Sequence, residues 1–403
     1  MDADQLNIRH LAAVAAVVRS GSISAAARAV NLTQPAITQG IAKLERQLAM
    51  PLFDRRPDGM AATPAATVLA GRVEEALRLI GSRNVTAAQI RAFVALARSG
   101  SYAGAAIETG HAEASLHRAV GDLSLVLGAR LVERRGRGVM LSRRGAAVAR
   151  GFRLALSELR SALAELAGLR GADVGRIAIG AMPLSRARLL PDAIARFHAA
   201  HPDVDLAIAE GSHIELVGPL RDGEIDLMIG ALRDPSAGDD LTQTPLFDDR
   251  PVIIGRAGHP LGRQSSVLTP ADLVRFPWVV SARGTPLRAL WGRMFEAVGI
   301  APPRVPIECG SVLTVRQMLI GSDFLTLLST DQVALELEAG WLMRVGDAPG
   351  DVNRTIGVTT RADWRPTPMQ ARFLAILQAE GEKVGNLPST ACGRGTGPRS
   401  GPG

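Results

Sequence analysis

Gln34, Thr38, Gln39 and Lys43 recur at intervals that set them along one side of a helix, and Arg55-Arg56 follow further on. Amide and hydroxyl side chains hydrogen-bond base edges, whereas Lys and Arg neutralise phosphates, so this set suits contact with duplex DNA. Taken alone, such a face is equally a solvated helix surface. The decision rests on the elements that carry it.

Leu11, Val14, Ala15 and Val18 fall at helical spacing, and Gly21 stands where a helix would stop. Ser22 then caps a short Ala-rich helix through Val30, and Asn31 suits a left-handed turn. Thr33 caps a third helix that tolerates Pro35 in its first turn. Two helices joined by a tight turn form a helix-turn-helix. Ala26-Ala27 let the second helix lie close to the third, Ile37, Ile41 and Leu44 face inward, and Gln34, Thr38, Gln39 and Lys43 are left outward. Asp54-Arg55-Arg56-Pro57-Asp58-Gly59 reads as a basic hairpin, a wing, and Thr63-Pro64 opens a helix to about Ile80.

The whole unit returns at an offset of 79: Arg19-Ser20-Gly21-Ser22 as Arg98-Ser99-Gly100-Ser101, Ala26-Ala27 as Ala105-Ala106, Leu44 as Leu123 and Arg55-Arg56 as Arg134-Arg135, without a gap. The copy has diverged on the reading face, where Gln34-Pro35 becomes Glu113-Ala114 and Lys43 becomes Asp122. Carboxylates there oppose phosphate approach, so Arg118, Arg134, Arg135 and Arg137 are expected to grip backbone at most, in a unit that packs or spaces. A long amphipathic helix from Arg143 to about Leu169 carries Leu154, Leu159, Leu163 and Leu166. Such a stripe fits a dimerisation face and an intramolecular seam equally.

The chain has 403 residues, 47% of them hydrophobic, enough for several packed cores. Its charge of +7 is segregated: residues 1–170 carry +10 and residues 171–403 carry −3. A basic module joined to a slightly acidic one implies a polyanion contact at the front and another task behind. Only Cys309 and Cys392 are present, far apart, which excludes a disulfide framework and fits a reducing cytoplasm. No secretory signal or membrane-length apolar run is evident, so a cytoplasmic protein without a membrane role is expected.

From Gly175, short apolar runs alternate with helices. Arg176–Gly180, Val204–Glu210, Asp226–Gly230, Val252–Gly255, Trp278–Ser281, Val305–Cys309, Phe324–Leu328 and Thr355–Thr359 read as strands of mostly parallel sheets. Ligands of such sheets sit at carboxyl ends of strands, beside helix N-termini. That argument selects Met182 and Ser185, Thr285, and Ser311-Val312, with Gly211, Gly230 and Ser329 on the same grounds; Thr285 and Ser311 serve equally as plain helix caps. No hydrolase, nucleotide-binding or zinc-protease motif occurs, so neither an enzyme nor a cofactor or metal is expected. The domains are then 1–82 and 83–170, the two winged helix-turn-helix units, 171–384, an α/β domain, and 385–403, a Gly- and Pro-rich tail expected to be disordered.

Ala26-Ala27, Leu32-Thr33-Gln34-Pro35-Ala36-Ile37-Thr38, Ile41, Leu44-Glu45, Leu48 and Leu52-Phe53-Asp54-Arg55 together closely resemble the DNA-binding signature of LysR-type transcriptional regulators. Leu190-Pro191, His201-Pro202 and Gly258-His259-Pro260-Leu261 are similar to that family's effector domain. The region from Trp278 to Gly340 is similar to the branch with regulators of aromatic-acid and sugar-uptake operons. The resemblance implies a winged helix-turn-helix reading an interrupted palindrome, a helix that dimerises, and a two-lobed periplasmic-binding-protein-like domain that closes on a small metabolite. It also implies promoter DNA, a homodimer or homotetramer and RNA polymerase as partners. The second winged unit departs from the family's single one. A small-molecule binding or sequestering protein with only non-specific DNA affinity is the competing reading.

Overall fold

The computed structural model describes residues 3–56, 59–136, 138–233, 238–263 and 268–385. Arg137 and residues 386–403 of the expected tail lie outside the described residues, as do the side chains of Arg55, Arg134 and Arg135. The first unit comprises α1 (Ile8–Ser20), α2 (Ile23–Val30), α3 (Gln34–Leu48), the hairpin β1 (Phe53–Arg56) and β2 (Gly59–Ala62), and α4 (Pro64–Ile80). Its ends form for the local reasons the residues suggest. Gly21 and Asn31 stop α1 and α2 in left-handed conformation at φ 64° and 54°. The side chains of Ser22, Thr33 and Thr63 accept hydrogen bonds from the first turns that they cap.

The second unit repeats this order with α5 (Ala87–Ser99), α6 (Tyr102–Thr109), α7 (Glu113–Leu127), β3 (Val132–Arg135), β4 (Gly138–Leu141) and α8 (Arg143–Gly168). The duplication extends to single hydrogen bonds. Met60 N donates to Gly21 O at 3.3 Å and Val139 N to Gly100 O at 3.0 Å; Thr63 N to Leu52 O and Ser142 N to Leu131 O are both 3.0 Å. One position changes size on both partners: buried Val14 and Val73 of the first unit correspond to Phe93 and Phe152, which meet edge to face at 6.1 Å.

One apolar core runs through both units, because α4 and α8 pack against each other. Ala66, Ala70, Val73, Ala76 and Ile80 of α4 and Ala149, Phe152, Ala155, Leu159, Ala162 and Leu166 of α8 are all buried. Arg72, itself buried, donates from Nη1 to Glu158 Oε2 at 3.1 Å and also pairs with Glu165. Of the α8 leucine stripe, Leu159 and Leu166 are buried within the chain, whereas Leu154 and Leu163 are half-buried.

The α/β region has two lobes. The first contains β5 (Gly175–Ala181), α9 (Leu189–Ala200), β6 (Val204–Glu210), α10 (His213–Arg221), β7 (Leu227–Ala231) and β8 (Leu241–Asp249). The chain then crosses into the second lobe, made of β9 (Val252–Arg256), α11 (Pro270–Leu273), β10 (Val279–Val280), α12 (Pro286–Glu296), β11 (Ile307–Glu308), α13 (Val312–Ile320), β12 (Thr326–Leu328), α14 (Ala334–Glu338) and β13 (Leu342–Asp347). It returns through β14 (Arg354–Arg361), and α15 (Pro368–Gly385) closes the first lobe.

The sheet orders are β6-β5-β7-β14-β8 and β12-β9-β13, with β10-β11 apart. Mostly parallel sheets were the expectation, and the pairing corrects it. Among the described strands, β5 with β6 and β7, and β10 with β11, pair parallel; β14 pairs antiparallel with β7 and β8, and β9 with β12 and β13. For β8 and β14 the cause is the double crossing. β8 leaves the first lobe and β14 comes back beside it, so the returning strand must run the other way.

Candidate nucleic-acid interface and effector cleft

On α3, Ile37, Ile41 and Leu44 are buried, and they fix which side of the helix faces out. Gln34, Thr38, Gln39 and Lys43 are exposed on it, with Thr33 and Pro35 at its start and Arg56 exposed on β1. Thr33 is committed to capping, since its Oγ1 accepts from Ala36 N at 3.3 Å. Thr38 Oγ1 donates to Gln34 O at 3.1 Å, which leaves its lone pairs free to accept.

The rear of α3 rests on a contact that sequence reading missed. The His10 ring lies over Gly40, where a Cβ would stand 2.9 Å from His10 Cδ2. His10 Nδ1 is buried and has no hydrogen-bond partner among the described residues. Burial, and secondly the charge of Lys43, push its pKa below the ordinary histidine value. The signal was present as a glycine inside an otherwise good helix.

α7 presents Glu113, Ala114, Arg118 and Asp122 to solvent in the corresponding places. Thr33 has no equivalent there: Ala112 precedes α7 and makes no side-chain cap. Ile107, Leu125 and Val126 are exposed where the first unit has Arg28, Arg46 and Gln47, so the copy has lost polar groups as well as acquired acidic ones.

In the two-lobed region, the expected site residues fall into two groups. Met182 is buried in the first lobe and packs on Gly230, at which a Cβ would meet its side chain. Ser185 is 1% exposed and its hydroxyl donates to Met182 O at 2.8 Å, so its side chain serves the turn after β5. Gly211 N donates to Ala181 O at 3.3 Å, holding the ends of β5 and β6 together. Thr285 Oγ1 accepts from Arg288 N and lies 2.9 Å from Ser281 Oγ; Ser311 Oγ accepts from Thr314 N. Ser311 is exposed, Val312 is half-buried beside it, and Ser329 is buried.

Sequence reading missed Arg233, two residues beyond the end of β7. Its Nη1 donates across the lobes to Gly284 O at 2.9 Å, and its backbone is clasped by the Gln243 side chain, with 2.8 and 2.9 Å bonds. Its Nε is buried and has no partner among the described residues, and burial lowers its pKa. His213, at the start of α10, has a lowered pKa from burial, then from Arg233 and Arg221. A second bridge joins the lobes between Arg188 and Glu338 at 3.4 Å.

Among the described residues no group of three or more His, Cys, Asp or Glu is placed to hold a metal ion, and no helix is long and apolar enough to cross a membrane. His201 instead pairs with Asp173 at 2.8 Å.

Comparison with known proteins agrees with this architecture. The family model "Bacterial regulatory helix-turn-helix protein, lysR family" matches twice, over residues 8–67 and 87–146, and "LysR substrate binding domain" matches residues 170–382. The HTH-type transcriptional regulator GalR of Pseudomonas putida is 30% identical over 94% of this chain and 98% of its own, a span that includes both winged units. The SDS degradation transcriptional activation protein of Pseudomonas sp. is 34% identical over 72% of this chain and 95% of its own. A full-length OxyR variant from Pseudomonas aeruginosa has the same fold, with a TM-score of 0.53 at 23% identity over 74% of this chain and 97% of that one. The chain belongs to the LysR family of DNA-binding transcriptional regulators, with two helix-turn-helix units ahead of one effector-binding domain.

Proposed function

We propose that the first winged unit reads promoter DNA and that a small organic acid, aromatic acid or sugar bound between the two lobes modulates that reading in the cytoplasm. Gln34, Thr38 and Gln39 supply amide and hydroxyl groups for base edges; Thr33 and Pro35 set the start of α3; Lys43, Arg55 and Arg56 neutralise phosphates. The observation that carries this reading is the outward face of α3, polar and basic over a fully buried apolar side. In the second unit Arg118, Arg134, Arg135 and Arg137 hold backbone.

The effector cleft lies between Met182, Ser185, Gly211 and Gly230, at the ends of β5, β6 and β7 on one lobe, and Thr285, Ser311 and Val312, at the starts of α12 and α13 on the other. Arg233 supports an anionic effector, since its guanidinium reaches across the lobes and keeps one buried N–H unpaired. Binding there shifts the population between lobe arrangements and so the placement of the reading units. A homodimer or homotetramer and contact with RNA polymerase complete the regulator.

The test is fluorescence anisotropy of the full chain on its own upstream duplex and on scrambled duplex, at two salt concentrations, for the wild type and Gln34→Ala. A preference for the native duplex that collapses in Gln34→Ala is expected. Equal, salt-sensitive binding to both duplexes, unchanged in Gln34→Ala, overturns the reading and leaves a metabolite-binding protein with non-specific DNA affinity.

A further inference from the structure

The contacts between α4 and α8 have a symmetry that the sequence offset exposes. Arg72 of α4 pairs with Glu158 of α8, and Leu79 of α4 lies against Gly151 of α8, where a Cβ would stand 2.7 Å from Leu79 O. At the repeat offset of 79, Arg72 is the counterpart of Gly151 and Leu79 the counterpart of Glu158. Each contact is therefore the image of the other when the two units are exchanged. Self-complementary pairing of this kind, i with j′ and j with i′, marks an isologous two-fold interface between two copies of one patch. The helices run antiparallel, because the residue number rises along α4 as it falls along α8 between the two contacts.

The seam and the first lobe together cover most of α8. Between residues 148 and 167 only Arg160 is exposed. Arg153 pairs with Asp222 and Glu158 with Arg365, both in the first lobe, while Phe152 packs on Phe93.

We propose that the two winged units of a single chain constitute the two-fold pair that engages DNA, so that one chain does what two single-unit chains would do together. The partner that fits is a duplex that is bipartite and asymmetric. One half is read by the amide and hydroxyl face of α3. The adjoining half faces α7, whose Glu113 and Asp122 oppose phosphates, and is held through the basic residues around it, Arg118, Arg130, Arg143 and Arg144, all exposed. Base preference is then confined to one half-site and no palindrome is required. This rests on the reading of the first unit as the DNA-binding one.

Two measurements on the full chain test it. In the first, wild type and Gln34→Ala are co-expressed in varied proportions, so that any oligomer mixes, and binding to the shortest native duplex that retains preference is followed. With one chain engaging each site, binding falls in direct proportion to the wild-type fraction of chains. A fall as the square of that fraction overturns the proposal while leaving the first unit a reader. No preference for native duplex in the wild type is instead a failure of the functional reading.

The second needs no DNA. Hydrogen exchange of the segment 148–167 is followed as the chain is diluted until it is monomeric. Protection independent of concentration is expected; protection lost on dilution means that α4 and α8 pair between chains and overturns the proposal on its own.

Discussion

Arg354, the first residue of β14, donates from Nε to Oδ2 of Asp249, the last residue of β8, at 2.7 Å; Asp249 is buried and Arg354 nearly so. The two are register partners at the point where the chain leaves one lobe and returns to it. Thr355 Oγ1 adds a second bond to Asp248 at 2.8 Å. This pair fixes the two crossing segments side by side.

Replacing Asp249 by Ala strands a buried guanidinium whose Nη2 already has no partner among the described residues. A loss of about 3–5 kcal/mol in the unfolding of the α/β region is expected, and the paired replacement Asp249→Leu with Arg354→Met costs much less. Urea unfolding of the three chains measures both. A single variant within about 0.5 kcal/mol of wild type shows that the pair does not hold the crossing.

The His10–Gly40 contact makes a pH prediction. Because folding lowers the His10 pKa, the unfolded chain binds the proton more tightly, so stability is complete above the unfolded value of about 6.5 and is lost as pH falls through the folded value. His10→Gln with Gly40→Ala reproduces the pair that stands in the second unit, Gln89 and Ala119, and removes this part of the pH dependence. Thermal unfolding between pH 5 and 7, with wild type and double variant compared, reads the difference. Identical slopes would show that His10 takes its proton freely in the folded protein.

What could be read from the sequence was local. Gly21, Ser22, Asn31 and Thr33 fix the ends of α1 to α3 by their own backbone chemistry, and the buried side of α3 then dictates its outward face. The missed strands were β8 and β13. β8 carries Pro245 and the polar run Thr242-Gln243-Thr244, which hide a strand whose pairing is supplied entirely by β14. The α8 stripe showed that a face is covered, but amphipathicity does not name the covering partner. The cleft side chains were least legible, since the inward turn of Ser185 and the reach of Arg233 depend on loops and on the other lobe.

Gly145 tests how closely α8 approaches the second wing. A Cβ there would stand 1.9 Å from Leu131 O, whereas the first unit tolerates buried Ala66 at the corresponding place. Gly145→Ala gains about 1 kcal/mol of helix propensity, yet it must push the strand end away and break the Ser142 N to Leu131 O bond. A net loss of about 1–3 kcal/mol is expected, measured by urea unfolding. A stabilised variant would show that the junction yields without cost.

Lys43 and Gln34 separate electrostatic from base-specific binding on one helix face. Lys43 is exposed and able to meet phosphate, so Lys43→Ala weakens binding to native and scrambled duplex alike and lowers the slope of log affinity against log salt by about 1. Gln34→Ala leaves that slope unchanged and costs about 1–3 kcal/mol on the native duplex alone. Lys43→Ala has a second consequence inside the fold. Its charge helps to hold the folded His10 pKa down, so its removal brings that pKa back toward the unfolded value and makes the loss of stability in acid smaller. An acid loss equal to that of wild type is the outcome if Lys43 points away from His10 and merely adds solubility. Anisotropy at several salt concentrations and unfolding at several pH values give the two answers from one variant. A Lys43→Ala protein with an unchanged salt slope places the phosphate contact elsewhere on the unit, on Arg56 of β1 first.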